Sequence, residues 1–146
     1  MKYKLIILLF IVSFEVFSEG GSQQVILVGP TLHYNFGKGD GHFSLGFETS
    51  YWYVFGNFAP LSADVGFEYE FISKKIRTYT EVQTGVGLGL SGGLVFEFCK
   101  GTKTLVGFQA SFWAAYFGGI DLRYRTIGIN RFFSPGIFAK APFFIY

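Results

Sequence analysis

The chain has 146 residues, a formal net charge of +2, one cysteine and only 15% charged residues. That length suits a single domain, one cysteine excludes an internal disulfide or a multi-cysteine metal site, and the small unclustered charge excludes a nucleic-acid-binding stripe. With 20 Phe, 9 Tyr and positive mean hydropathy, the chain is too apolar for an ordinary soluble domain, where about a quarter of residues are charged.

Met1-Lys2-Tyr3-Lys4 precede an apolar run from Leu5 to Phe14, and small residues suited to a cleavage site follow at Val16 and Ser18. This is the order of a secretory signal peptide, and a run of about ten residues is short of the roughly 20 that a spanning helix needs. Residues 1–18 are therefore expected to be a cleaved leader, residues 19–146 a barrel domain, and Glu19 the mature N-terminus. No cysteine stands just after the cut, so a lipid-anchored start is not expected.

Beyond the leader the dominant period is two, the period of strands. Over 43–55 one face reads Phe43, Leu45, Phe47, Thr49, Tyr51, Tyr53, Phe55, and over 61–71 it reads Leu61, Ala63, Val65, Phe67, Tyr69, Phe71. The opposite faces hold Ser44, Gly46, Glu48, Ser50, Trp52 and Ser62, Asp64, Gly66, Glu68, Glu70. Alternation continues over 76–89, 106–115 and 120–125, and less cleanly over 25–36, 93–99 and 136–146. Turn-forming residues separate these runs at 37–41, 56–60, 73–75, 90–92, 100–103, 117–118 and 130–135. The expectation is all-β: eight antiparallel strands in an up-and-down barrel.

Two features indicate which face is wet. The interior of an eight-stranded barrel is only wide enough for ordinary side chains, so the crowded Phe and Tyr belong outside. The polar face holds acids, arginines and glycines but only Lys140 among the lysines, whereas the remaining mature lysines sit in turns. A soluble lipocalin-like carrier would reverse this polarity, so the pattern predicts a transmembrane barrel. Tyr34, Phe36, Tyr51, Tyr53, Phe55, Phe71, Tyr116 and Tyr124 are expected near strand ends, as an interfacial girdle.

In these respects residues 24–146 resemble the small eight-stranded outer-membrane barrels, the OmpA membrane domain and the OmpX group, including a last strand that ends Phe143-Phe144-Ile145-Tyr146. The resemblance implies an integral protein of a bacterial outer membrane, monomeric and without cofactor, in contact with outer-membrane lipid and lipopolysaccharide. It also implies that the barrel assembly machinery reads the C-terminal strand, and that both chain ends are periplasmic. The outer loops are then 37–42, 72–76, 99–104 and 127–135, and they carry a basic rim of Lys38, Lys74, Lys75, Lys100, Lys103 and Arg131 against Asp40. Such a rim suits phosphate groups.

Inside, Glu48, Asp64, Glu68, Glu70, Glu81, Glu97 and Asp121 meet Arg77, Arg123, Arg125 and Lys140 in a predicted lumen charge network that plugs the barrel. A two-residue turn at Ser73-Lys74 would set Glu70 opposite Arg77, while Arg123 and Arg125 would point across the lumen at the third strand. The polar core holds the barrel shut in this reading; a gated ion path through it is the lesser alternative. His42, Ser44 and Glu48 share a face in the manner of a base, nucleophile and acid, which makes a lipid A acyl hydrolase the enzymatic alternative. Leu45 after Ser44 departs from the His-x-Ser-Asn pattern of the deacylases, so no enzyme is expected and no catalytic residue is assigned. His33 is expected inward near Glu48, Cys99 as an inert thiol, and Gly85-Val86-Gly87-Leu88-Gly89 as lumen clearance, since no helix follows to form a nucleotide loop.

Overall fold

The computed structural model describes residues 23–37, 41–54, 59–99, 101, 103–115 and 117–145; the expected leader and Glu19 lie outside them. Nine strands follow in order: β1 Gln23–Asn35, β2 His42–Val54, β3 Leu61–Glu70, β4 Lys75–Val86, β5 Leu88–Phe98, β6 Leu105–Ala114, β7 Gly118–Ile127, β8 Asn130–Ala139 and β9 Ala141–Ile145. From β1 to β8 each strand pairs antiparallel with the next, and β1 closes the sheet by pairing with β2 on one side and with β8 and β9 on the other. One register relates β1 to both β8 and β9, so these two are a single stave interrupted at Lys140. The fold is a closed, eight-staved antiparallel barrel, with its basal end where β1 begins and β9 finishes.

The period-two pattern becomes the two faces of the wall. In β3 buried and exposed residues alternate almost without exception, with Val65 63% and Phe67 52% exposed while Glu68 is fully buried. Phe43, Leu45, Phe47, Phe108, Phe112 and Ile137 continue the apolar exterior. That polarity is the inverse of a soluble barrel, and a closed ladder leaves no unpaired strand edge in hydrocarbon. Strands of 10 to 13 residues in β1–β8 meet the roughly 9 to 11 residues that a tilted membrane strand requires. Aromatic rings gather at the upper end, where Tyr34 packs edge-on against Phe36 and Phe43, and Tyr69 against Phe71. At the basal end the Tyr51 hydroxyl donates to Gln24. Phe55 and Tyr116 lie outside the described residues, and Tyr124 sits inside β7 rather than at its end.

Three turns differ from expectation. Leu90-Ser91-Gly92 is interior to β5, and the chain reverses instead at Gly87, whose φ of 70° is a left-handed conformation open to glycine. Val86 and Leu88 flank it as ladder partners. Residues 130–135 are strand, because Gly128 (φ 58°) and Ile129 already make the β7–β8 turn. Between β3 and β4 the turn takes Phe71 to Lys74 instead of two residues, so Arg77 pairs with Glu68 and Asp64 with Glu81. A slip of two residues preserves both faces and changes every partner.

Candidate functional site in the lumen

Alternation delivers the charged side chains to the lumen, and the register decides which of them meet. At the upper end Arg77 is the hub: Nε donates to Glu97 at 2.7 Å, Nη1 to Glu68 at 2.9 Å and Nη2 to Glu70 at 2.8 Å. Its guanidinium carbon lies 4.9 Å from the ring centroid of Phe132. Lys75 Nζ reaches Glu97 at 3.2 Å, while Asn35 and the Ser73 hydroxyl both donate to Glu70. Glu70 and Arg77 therefore meet, although the ladder pairs them one step off.

One layer down, Arg125 places Nη1 and Nη2 on the two oxygens of Glu68 at 2.6 and 2.8 Å and donates Nε to Gln109 at 2.8 Å. This bidentate geometry spans the lumen from β7 to β3, as expected of facing strands. Arg123 does otherwise: Nη2 reaches Glu48 of β2 at 2.6 Å and Nε reaches Asp121 at 2.6 Å. Glu48 also accepts from the Tyr79 hydroxyl at 2.7 Å and from Lys140, whose Nζ donates to Ser50 at 2.7 Å. His33 is inward and buried, but its Nε2 lies 3.1 Å from Asp121, and its Nδ1 is 3.9 Å from Glu68; Glu48 is not its neighbour.

Two expected members stand apart. Asp64 accepts from the Ser62 hydroxyl at 2.6 Å, and Glu81 accepts from Ser91 at 3.1 Å and Ser111 at 2.7 Å. Among the described residues neither has a basic group within ion-pair distance.

Among the described residues a cavity lies at each end of the lumen. The upper one, about 170 Å³, is lined by residues including Asn35, His42, Glu70, Lys75, Arg77 and Phe132. The basal one, about 20 Å³, lies among Glu48, Glu81, Ser111, Asp121, Arg123 and Lys140 and has room for about one water. Glu68, Arg125, Tyr79 and Val95 line neither cavity; they form a buried septum between the two, with Tyr79 and Val95 in an apolar cluster that includes Ile127 and Phe132. A second cluster of Val25, Leu27, Trp52 and Trp113 fills the basal end.

Of the basic rim, Lys74 occupies the β3–β4 turn at φ 52°. Lys103 and Arg131 are exposed, Lys75 opens β4, and Lys38 and Lys100 lie outside the described residues. The His42, Ser44 and Glu48 trio does not assemble: Asn35 donates to Ser44 at 3.1 Å, and Glu48 is held by Tyr79, Arg123 and Lys140. Cys99 follows β5 at the upper end, partly buried.

Sequence reasoning did not identify Tyr79, Gln109, Asn35 and Phe132 as partners of the network. Tyr79 was on the correct face, and a hydroxyl beside a predicted acid was the available signal. Phe132 was hidden by Pro135, which made its segment read as a turn.

No protein-family model matches the chain, and no curated protein matches it. Among solved structures it is similar to a de novo designed transmembrane β-barrel, with TM-score 0.49 and 15% identity over 84% of this chain and 98% of the other. It is also similar to Ail, the attachment invasion locus protein of Yersinia pestis, solved in complex with the heparin analogue sucrose octasulfate, with TM-score 0.43 and 14% identity over 84% of this chain and 99% of that one.

Proposed function

We propose that this chain is an integral barrel of a bacterial outer membrane with a structural or membrane-interaction role: a plugged wall element whose basic rim meets lipopolysaccharide phosphates, without catalysis of its own. The septum is the observation that carries this reading. Glu68 and Arg125 are both fully buried and bidentate, so the lumen between the two end cavities is occupied by an ion pair rather than by a path. The barrel acts as a monomer, delivered by the assembly machinery through its last strand.

Planar-bilayer recording of the purified full chain is expected to show no stable, large conductance steps; such steps would overturn the plugged reading. Incubation with lipopolysaccharide is expected to release no acyl chain, and release abolished by Ser44→Ala would install the lipid A hydrolase reading instead. Replacing Lys74, Lys103 and Arg131 together by Gln is expected to weaken lipopolysaccharide binding at low salt and to have less effect at high salt, because exposed charges are screened.

A further inference from the structure

Three of the four prolines lie in the strands that close the barrel: Pro30 in β1, Pro135 in β8 and Pro142 in β9. Proline has no N–H to give a ladder, so sheets confine it to edges and bulges. A closed barrel has no edge, yet here the prolines collect on the first and last staves. Lys140, between β8 and β9, adds an inward-pointing charge, another device that guards strand edges.

The hydrogen-bond phase shows what two of these prolines remove. Phe36 and Phe133 exchange both backbone bonds, at 2.7 and 2.9 Å. In an antiparallel ladder such doubly bonded pairs recur at every second residue. Along β1 they are therefore Tyr34, Leu32, Pro30, Val28 and Ile26; the register sets Leu32, Val28 and Ile26 opposite Ile137, Ala141 and Phe143, and its extension through the gaps between these pairs and the Phe36–Phe133 bridge sets Tyr34 opposite Pro135 and Pro30 opposite Ala139. The Lys140 amide, which donates to Phe117 on the other side, is in the same phase. Pro135 thus cannot donate to the Tyr34 carbonyl, nor Pro30 to that of Ala139, and each pair keeps at most one of its two bonds. By contrast, β3 and β4 pair over ten consecutive positions without a proline.

Side chains bridge this line where the backbone is thin. Ser134 of β8 donates to Asn35 of β1 at 2.6 Å. His33 of β1 reaches over β8 to Asp121 of β7, and Lys140 reaches over β1 to Glu48 and Ser50 of β2.

We infer that the seam between β1 and β8–β9 is the line along which this barrel opens, its ladder thinned by Pro30 and Pro135 and its closure held by the Lys140, His33 and Ser134 bridges. Opening there frees two strands that already carry edge protection, while the other staves keep their ladders.

Amide hydrogen exchange by NMR on the full chain in detergent micelles tests this within one strand. The amides of Ile26, Val28 and Leu32 face the seam, and those of Val25, Leu27 and His33 face β2. The seam set is expected to exchange at least about tenfold faster; equal rates in the two sets would overturn the inference. Pro30→Ala and Pro135→Ala restore a donor each and are expected to slow the seam set by roughly 3- to 10-fold, the worth of one hydrogen bond, leaving the β2-facing set unchanged. Lys140→Met is expected to speed the seam set selectively. Seam rates unmoved by all three substitutions would also overturn it.

Discussion

In the upper half of the lumen, Glu68, Glu70 and Glu97 all touch Arg77, and Glu68 takes a second guanidinium from Arg125. In the basal half, Glu48 and Asp121 share Arg123 and Glu48 also takes Lys140, while among the described residues Asp64 and Glu81 form no ion pair and are held by hydroxyl and amide groups. Both halves are acid-rich and buried, so the difference lies in pairing rather than composition. A buried carboxylate engaged by a guanidinium is a liability as soon as its partner is removed, whereas one held only by hydroxyls already bears its desolvation cost. The upper half should therefore be fragile to loss of a base and the basal half tolerant of loss of an acid.

The largest expected effect is at Arg77. Arg77→Met leaves Glu70 without an ion-pair partner and Glu68 and Glu97 with one base each, Arg125 and Lys75, and should cost roughly 3 to 5 kcal/mol, read as a lowered urea midpoint for unfolding from micelles; a loss under about 1 kcal/mol would remove the distinction between the halves. Next is the wall itself: Val65→Arg, in the middle of β3 on the exterior, should cost about 2 to 4 kcal/mol, against about 0 to 1 for Val106→Arg near the upper end of β6. Equal costs would mean that no hydrocarbon band lies between them. Glu70→Gln should cost only about 1 kcal/mol, because Arg77 keeps Glu68 and Glu97 and the site is near the upper mouth. The smallest effect belongs to Asp64→Asn, expected within about 1 kcal/mol of neutral and on the stabilising side, since it removes a buried charge that makes no ion pair among the described residues. A clear destabilisation there would show a cation holding Asp64 in place.

Which residues face inward was legible in the sequence because it depends only on the parity of each strand. Phe47, Val65, Phe67 and Phe112 are exposed, and Glu48, Glu68, Glu81 and Arg123 are buried, as their alternation requires. Which inward residues touch was legible only in part: Glu70 meets Arg77 and Arg125 meets Glu68 of β3 as expected, but the remaining partners depend on turn lengths that local chemistry left ambiguous. The β3–β4 turn offered Ser73-Lys74 as a two-residue reversal, yet Phe71 and Ile72 join it, and Arg77 moves from opposite Glu70 to opposite Glu68. Leu90-Ser91-Gly92 reads as a turn and the glycines of 85–89 as lumen clearance, yet it is Gly87 that adopts the left-handed φ and reverses the chain. Contacts across the lumen, such as Arg123 with Glu48 and His33 with Asp121, need the closed barrel and have no local sequence signal.

The barrel is expected to hold its apolar face in lipid and its charges sealed inside. The most direct test places single spin labels, in a Cys99→Ala background, at Val65→Cys and Ala110→Cys on the wall and at Ser62→Cys and Ser111→Cys in the lumen. In vesicles, power saturation should show the wall labels relaxed by lipid-soluble oxygen and the lumen labels shielded from it. Lumen labels relaxed by oxygen, with wall labels relaxed instead by a water-soluble nickel chelate, would contradict the account.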